Sequence, residues 1–308
     1  MREFQVEFER LALANGWRGW VLTSCDDDGR AAGDSPLPNI NAWEAWLSGL
    51  VGNPSKLAGY AVLKYSKTGE VCRALLPGVD GGREVVCKQS RRRGVRRVVG
   101  MFRKSRARRG YERALRLLAA GIHTAQPLAL LERRFPSSEA WLVSEYIPDL
   151  VDLDHVALRH LAAIPRARLH AVKGHISTAV GELLEAMRAH DLSHRDLKAP
   201  NIMLTDWNGE SDRPRVWLVD LDGLGGGGRR ASRRREQLVR LASSLRSYKS
   251  VTRADYARFL KALPLGQDGA SAWKSTYREL AFLVERYDTG SAAGKSHKID
   301  GYSGDAEY

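Results

Sequence analysis

The sequence predicts an α+β fold of two lobes, a small antiparallel-sheet lobe followed by a helical lobe. Three observations predict it. Residues 57–89 read as three short strands separated by turns, and two more strand candidates, 126–131 and 140–143, follow an amphipathic helix. Past residue 148 the apolar residues change period: Leu169, Val172, Ile176, Val180, Leu183, Leu184 and Met187 recur at i+3 and i+4, the spacing of a long buried helix. That helix leads into a strand–turn–strand stretch from His194 to Asp222.

This last stretch carries the chemistry. His194-Arg195-Asp196-Leu197-Lys198-Ala199-Pro200-Asn201 matches H-R-D-L-x-x-x-N, the catalytic loop of protein-kinase-like phosphotransferases. Such a loop aims one carboxylate at the acceptor hydroxyl, while an amide five residues on holds a metal that bridges the ATP phosphates. The strand Val216-Trp217-Leu218-Val219 then delivers a second carboxylate, Asp220. Asp196 is the candidate base or acceptor-positioning residue, and Asn201 and Asp220 are candidate Mg²⁺ ligands. Lys198, beside Asp196, would offset charge on the transferred phosphoryl group. A charged surface turn is the bland alternative, and the strand–turn–strand context argues against it.

Composition bounds the partners. The chain has 308 residues, 43% of them hydrophobic and eight of them Trp, enough to bury a sizeable core. A net charge of +13 points to an anionic partner: nucleic acid, a phosphorylated glycolipid or an acidic membrane surface. No nucleic-acid-binding signature accompanies the charge, so no nucleic acid is expected. Cys25, Cys72 and Cys87 form no C-x-x-C, which suits a reducing compartment. No run approaches the length of a membrane span, and the N-terminus lacks the apolar core of a secretory signal. The expected location is cytoplasmic.

Taken in order, residues 3–14 place Phe4, Phe8, Leu11 and Leu13 at roughly helical spacing, and Trp17 to Thr23 reads as a strand. Cys25 to Pro38 is a loop by composition. A helix over 41–50 carries Trp43, Trp46, Leu47 and Leu50 on one face, as packing anchors. Residues 1–56 are expected as an N-terminal extension without chemistry, 57–146 as the nucleotide-binding small lobe, 147–289 as the catalytic lobe and 290–308 as a disordered tail.

Within the small lobe, the turn Ser66-Lys67-Thr68-Gly69 stands where a glycine-rich phosphate cover belongs, with a single glycine. Val85-Val86-Cys87-Lys88 is comparable to V-A-I-K, so the Lys88 ammonium could reach the α- and β-phosphates. Residues 91–109 hold ten Lys or Arg in nineteen positions and no acid. The segment reads either as a helix lying on an anionic bilayer or as a solvated helix packed on the small lobe. Glu112 is the first acid after it, on a strong amphipathic helix, and in the kinase arrangement a glutamate from this helix pairs with the strand lysine. Ser144 to Pro148 then leaves the sheet as a hinge, where backbone groups of Glu145 and Tyr146 would meet the adenine.

Beyond Asp222 come Gly225 to Gly228, then Arg229, Arg230, Arg233, Arg234 and Arg235 on the way into a helix. Thr252 with Asp255 marks another helix start, and Trp273, Tyr277, Leu280 and Val284 a third. A helix beginning about a dozen residues after Asp220, with no A-P-E, leaves little room for the peptide platform of a protein kinase. Five arginines at the mouth suit an anionic acceptor instead.

The run Arg108 to Leu130, with Ala120-Gly121-Ile122-His123-Thr124-Ala125-Gln126-Pro127-Leu128-Ala129, resembles the lipopolysaccharide kinase family, the Kdo and heptose kinases. So do His194 to Asn201, Val216 to Gly223 and the arginine-rich helix. The resemblance spans about residues 57–263. It implies ATP- and Mg²⁺-dependent phosphorylation of a sugar hydroxyl in the inner core of a glycolipid, at the cytoplasmic membrane face. It also implies that Lys88 and Glu112 position the nucleotide, Asp196 is the catalytic aspartate, and Asn201 and Asp220 bind metal. Asp220-Leu221-Asp222 stands where protein kinases have D-F-G. Rival readings are an atypical Ser/Thr or Tyr protein kinase, an aminoglycoside-type kinase, and a pseudokinase scaffold.

Overall fold

The structure, a computed structural model, describes residues 6–25, 37–66, 69–78, 82–91, 104–133, 139–208, 213–263 and 272–292. The expected basic helix over 91–109 therefore lies largely outside the described residues, as do the tip of the turn at 67–68 and residues 293–308 of the tail. The small lobe is a seven-stranded antiparallel sheet of β1 (Val6–Ala12), β2 (Arg18–Cys25), β3 (Ala61–Ser66), β4 (Gly69–Leu76), β5 (Arg83–Arg91), β6 (Pro127–Arg133) and β7 (Glu139–Glu145). The spatial order is β1-β2-β6-β7-β5-β4-β3.

Two sequence expectations change here. Where the spacing predicts a helix over 3–14, Val6–Ala12 is instead an edge strand paired with β2, with a register shift between Glu7 and Phe8. Phe4, Phe8 and Leu11 mimic helical spacing, but the hydrogen bonds β2 offers decide the state. Nor is 1–56 an appendage. β1 and β2 extend the sheet itself, and α1 (Ile40–Gly52) covers it. As the spacing requires, α1 buries Trp43, Trp46, Leu47 and Leu50, and its Asn39 cap accepts from the Ala42 N–H. The two indoles also donate to the carbonyls of Leu22 (3.1 Å) and Leu75 (2.9 Å), tying β2 and β4 to one helix. Cys72 and Cys87 face each other across β4 and β5, buried and unbridged.

α2 (Arg106–Ala119) joins the lobes. Its Ala107 packs with Leu130 and Ala140 of the sheet, while Leu117 belongs to the core of the large lobe. Immediately after it, the His123 carbonyl accepts from the Leu218 N–H, and the Thr124 hydroxyl donates to the Leu218 carbonyl at 2.7 Å. The segment after the small-lobe helix and the strand that leads to Asp220 are thus fastened together.

The large lobe opens with the short strand β8 (Val151–Asp152) and is built on α3 (Arg166–Ala189), with α4 (Ala231–Leu245), α5 (Arg253–Ala262) and α6 (Ala272–Ala292). α3 buries Val172, Ile176, Val180, Leu183 and Met187, following the predicted stripe. α6 runs to Ala292, so residues 290–292, expected in the tail, are helical. A cavity of about 430 Å³ lies between these helices, walled by Ile176, Val180, Leu241, Phe259, Leu280 and Val284, and none of the predicted site residues lines it.

α5 starts with the predicted Thr252/Asp255 capping box. Asp255 also accepts from Lys173 Nζ at 2.9 Å, with both side chains mostly buried. Burial works against its charge, but the bonds from Lys173, Thr252 and Arg258 prevail and hold its pKa down to about 2. Asp255→Ala should cost about 3–5 kcal/mol in urea unfolding, because it leaves the mostly buried Lys173 ammonium without its counter-charge, with the Ser250 carbonyl still accepting from it. The stabilisation is present above the unfolded-state pKa of about 3.9 and is lost as pH falls toward 2. The parent–variant difference should therefore be flat at neutral pH and shrink below about pH 4. A difference unchanged at pH 3 would contradict the assignment.

Candidate active site

Five short elements carry the site: β9 (Leu192–His194), a turn through Asp196, a helical turn at Ala199–Asn201, then β10 (Ile202–Thr205) and β11 (Arg215–Leu218). β10 and β11 pair antiparallel with Ile202 opposite Leu218, and the Val219 N–H donates to the Asn201 carbonyl at 3.1 Å. The segment past Asp220 returns as β12 (Leu224–Gly226), paired with β9, and the Arg195 N–H donates to the Gly223 carbonyl. Backbone bonds thus hold the loop through Asp196 and the turn through Asp220 side by side.

The loop explains its own spacing. Asn201, buried, donates through Nδ2 to the Asp196 carbonyl at 2.8 Å, closing a five-residue loop. The amide nitrogen is spent there, which leaves the amide oxygen with the polarity a cation requires. Asp196 keeps its carboxylate half exposed, 3.1 Å from Lys198 Nζ. The Ala199 N–H donates to Ser244 Oγ on α4, pinning the loop from below.

Asp220 sits in the left-handed backbone region at φ 53°, which Asp tolerates better than most residues. Its carboxylate lies 3.7 Å from Lys88 Nζ, both half exposed, so the strand lysine and the candidate metal-ligating aspartate meet across the cleft. Beneath them His194 is fully buried, its Nε2 3.0 Å from the Asp220 carbonyl. Burial drives the His194 pKa down, against the pull of that carbonyl, and the ring is neutral near pH 7. Gly223 lies flat on the imidazole: a Cβ there would come within 2.7–3.1 Å of three ring atoms.

These residues fit a nucleotide-bound Mg²⁺. Among the described residues no three His, Cys, Asp or Glu form a metal cage. Mg²⁺ with ATP needs none, because it keeps waters, takes one or two protein ligands and draws the rest from phosphates. An exposed Asp220 carboxylate and the spare oxygen of Asn201 supply that set.

Three expectations are corrected. Glu112 does not pair with Lys88: it accepts from Lys104 at 2.8 Å and Arg108 at 3.2 Å, and these bonds outweigh burial to keep its pKa low. At 100° per residue it stands about 140–160° around α2 from Ala114 and Leu117, which face the cores. Bringing it to Lys88 would turn those residues out to water. Glu112→Gln should therefore leave kcat and KM for ATP within about threefold, as an exposed ion pair implies. A tenfold loss of turnover would show that the pair forms in the working enzyme.

The hinge also differs. The buried Glu145 carboxylate accepts from the Gln126 N–H at 2.8 Å, its own N–H donates to the Gln126 carbonyl, and the Tyr146 N–H donates to the Glu84 carbonyl. Both N–H groups are committed within the sheet, since β7 continues through Glu145 before the chain leaves it. Neither is placed for adenine. Third, the arginines after Asp222 do not stand together at the mouth. Arg233 pairs with Glu236, Arg234 with Glu185 of α3 and Arg235 with Glu279 of α6.

Sequence reasoning passed over four residues here. Asp191 accepts from the N–H groups of Gly227 and Arg229, folding the glycine-rich segment against β9. Gly228 there approaches so closely that a Cβ would meet the Leu192 carbonyl oxygen at 1.9 Å. Arg106 and Arg113, seven residues apart on α2, flank the Asp222 carboxylate at 3.8 Å each. Only the i,i+7 spacing of two arginines on one helix face hinted at that arrangement.

Comparison with known proteins agrees with this geometry. The family described as "Lipopolysaccharide kinase (Kdo/WaaP) family" matches residues 88–263, more than half of the chain. Among solved structures, that of WaaP in complex with acyl carrier protein superposes with a TM-score of 0.53 at 22% identity, covering 82% of this chain and 99% of that one. A Toxoplasma gondii rhoptry antigen kinase domain is more distant, with a TM-score of 0.42 and 14% identity, covering 74% and 83% of the two chains. A search of curated proteins finds no match. The fold is protein-kinase-like, and the chain belongs to the lipopolysaccharide kinase (Kdo/WaaP) family.

Proposed function

We propose that this kinase transfers the terminal phosphoryl group of ATP, as its Mg²⁺ complex, to a hydroxyl of a lipopolysaccharide inner-core sugar, Kdo or heptose, or of a similar glycolipid. The observation that carries the acceptor class is the short return from Asp220. By Ala231, eleven residues on, the chain has passed through β12, bonded back to Asp191 and entered α4, so no peptide platform intervenes beside Asp196. Asp196 accepts the hydrogen bond of the acceptor hydroxyl and aligns its oxygen. The new O–P bond forms as the bond to the ADP oxygen breaks, and the hydroxyl proton passes to Asp196. Lys198 offsets charge on the group in flight. Lys88 holds the α- and β-phosphates, and Asp220 and Asn201 would hold the metal, which would supply charge neutralisation at the phosphate oxygens.

The test is ATP turnover with purified lipopolysaccharide, with generic protein substrates and without acceptor. Lipopolysaccharide-dependent turnover is expected; transfer to protein alone would overturn the acceptor assignment. The net charge of +13 supports a second part of the reading, peripheral contact with anionic lipid at the inner face of the cytoplasmic membrane. Among the described residues no helix is long and apolar enough to cross a membrane. Sedimentation with anionic vesicles should weaken steeply with salt, since exposed charges are screened over roughly 10 Å at 0.1 M. The similar WaaP was solved in complex with acyl carrier protein, which supports such a protein as a partner of this chain too. Co-purification of the two chains would check it.

A further inference from the structure

We propose that Arg113, supported by Arg106, couples helix α2 to the metal-binding turn in place of a helix glutamate, so that Asp220 faces the phosphates and Asp222 is held away from them. The proposal rests on the kinase reading and assigns a positioning role within that site.

The only acid of α2 is Glu112, and it faces away from the cleft. Arg113, the next residue, turns the other way. Its Nη1 donates to two carbonyls of the turn, those of Leu221 and Asp222, at 3.0 Å each. It also lies 3.8 Å from the Asp222 carboxylate, which Arg106 approaches from one side at the same distance. Two guanidinium groups thus stand beside the Asp222 carboxylate. The carboxylate of Asp220 instead meets Lys88. The two aspartates of Asp220-Leu221-Asp222 are thereby divided, one toward the nucleotide and one toward the helix.

The anchor is stiff because α2 is. Ala107 is packed on the sheet and Leu117 in the large-lobe core, so the helix cannot roll without exposing both. An arginine suits the task better than a lysine. Two hydrogens of one planar terminal nitrogen meet consecutive carbonyls, the same nitrogen lies 3.8 Å from a carboxylate, and a flexible lysine ammonium is not held in that plane.

The first measurement needs no nucleotide. The Leu224 N–H donates to the same Leu221 carbonyl that Arg113 holds. In the ligand-free full chain, Arg113→Met should speed amide exchange in the peptide carrying Leu221 to Leu224 and leave the β2–β6 region unchanged. The second measurement is binding of a fluorescent ATP analogue with and without Mg²⁺. Arg113→Met should cut the Mg²⁺-dependent gain in affinity by roughly tenfold to a hundredfold, with Mg²⁺-free binding nearly intact. Arg113→Lys should restore part of the gain. If Arg113→Met melts with the whole fold, Arg106→Met and Asp222→Asn remain. Each removes an ion pair but keeps the carbonyl bonds, and each should lower the gain by a few fold.

An unchanged Mg²⁺-dependent gain in a folded Arg113 variant, or unchanged exchange at the turn, overturns the proposal. Failure of the kinase reading looks different: the parent itself neither binds nor turns over ATP, whereas the exchange result still reports on the clamp.

Discussion

Asp196→Ala should reduce phosphoryl transfer by a hundredfold or more while Mg·ATP binding stays within about threefold of the parent. The separation follows from what each part of Asp196 does. Its main-chain carbonyl, which survives the substitution, receives Asn201 and closes the loop. Its carboxylate touches only Lys198 among the described contacts and is half exposed toward the cleft. Removing it therefore takes away the group that orients the acceptor hydroxyl and receives its proton, and leaves the nucleotide's holders in place. Titrating ATP by calorimetry and measuring lipopolysaccharide-dependent turnover on the same preparation separates the two. Near-full activity would mean that the catalytic loop is placed wrongly; lost binding would mean that Asp196 serves the nucleotide.

Asp220→Asn should lose both activities. Among the described ion pairs the Asp220 carboxylate is the acid beside Lys88, so in the proposed mechanism its loss removes a metal ligand and leaves an ammonium to meet the phosphates unbalanced. Transfer is expected to fall at least a hundredfold and Mg²⁺-dependent nucleotide affinity by tenfold or more. Asparagine is the informative replacement. Asp220 occupies the left-handed region, where Asn is tolerated and Ala costs roughly 1–2 kcal/mol, so an Ala variant would mix strain with lost ligation. Retained Mg²⁺-dependent binding in Asp220→Asn would shift the metal to Asp222 and take the Arg113 clamp down with it.

Much of the site was legible before any fold was known, and the reason is locality. The distance from Asp196 to Asn201 is set by one turn closed by one side-chain bond, so five residues of sequence suffice to state it. The Thr252/Asp255 box and the tryptophan face of α1 are local in the same sense, a matter of helical period and cap chemistry.

The errors lie where a residue's role depends on a distant partner. Val6–Ala12 has apolar spacing compatible with a helix, and the open hydrogen-bonding edge of β2 made it a strand. Glu112 occupies the sequence position a kinase reading demands, but its direction is set by which face of α2 buries Ala107, Ala114 and Leu117. Arg234 and Arg235 look like an acceptor patch until α3 and α6 bring Glu185 and Glu279 beside them.

By itself, then, the sequence determined the spacing of the Asp196–Asn201 loop, the helix cap and the amphipathic faces, all fixed by contacts within a few residues. Only the tertiary structure decided which charged group answers which. Arg113 reaches Asp222 across 109 residues of chain, and Lys88 reaches Asp220 between lobes. A charge is attracted by any opposite charge, so composition cannot choose among partners. The packed cores on either side of α2 make the choice, because they permit one rotation of that helix and exclude the rest.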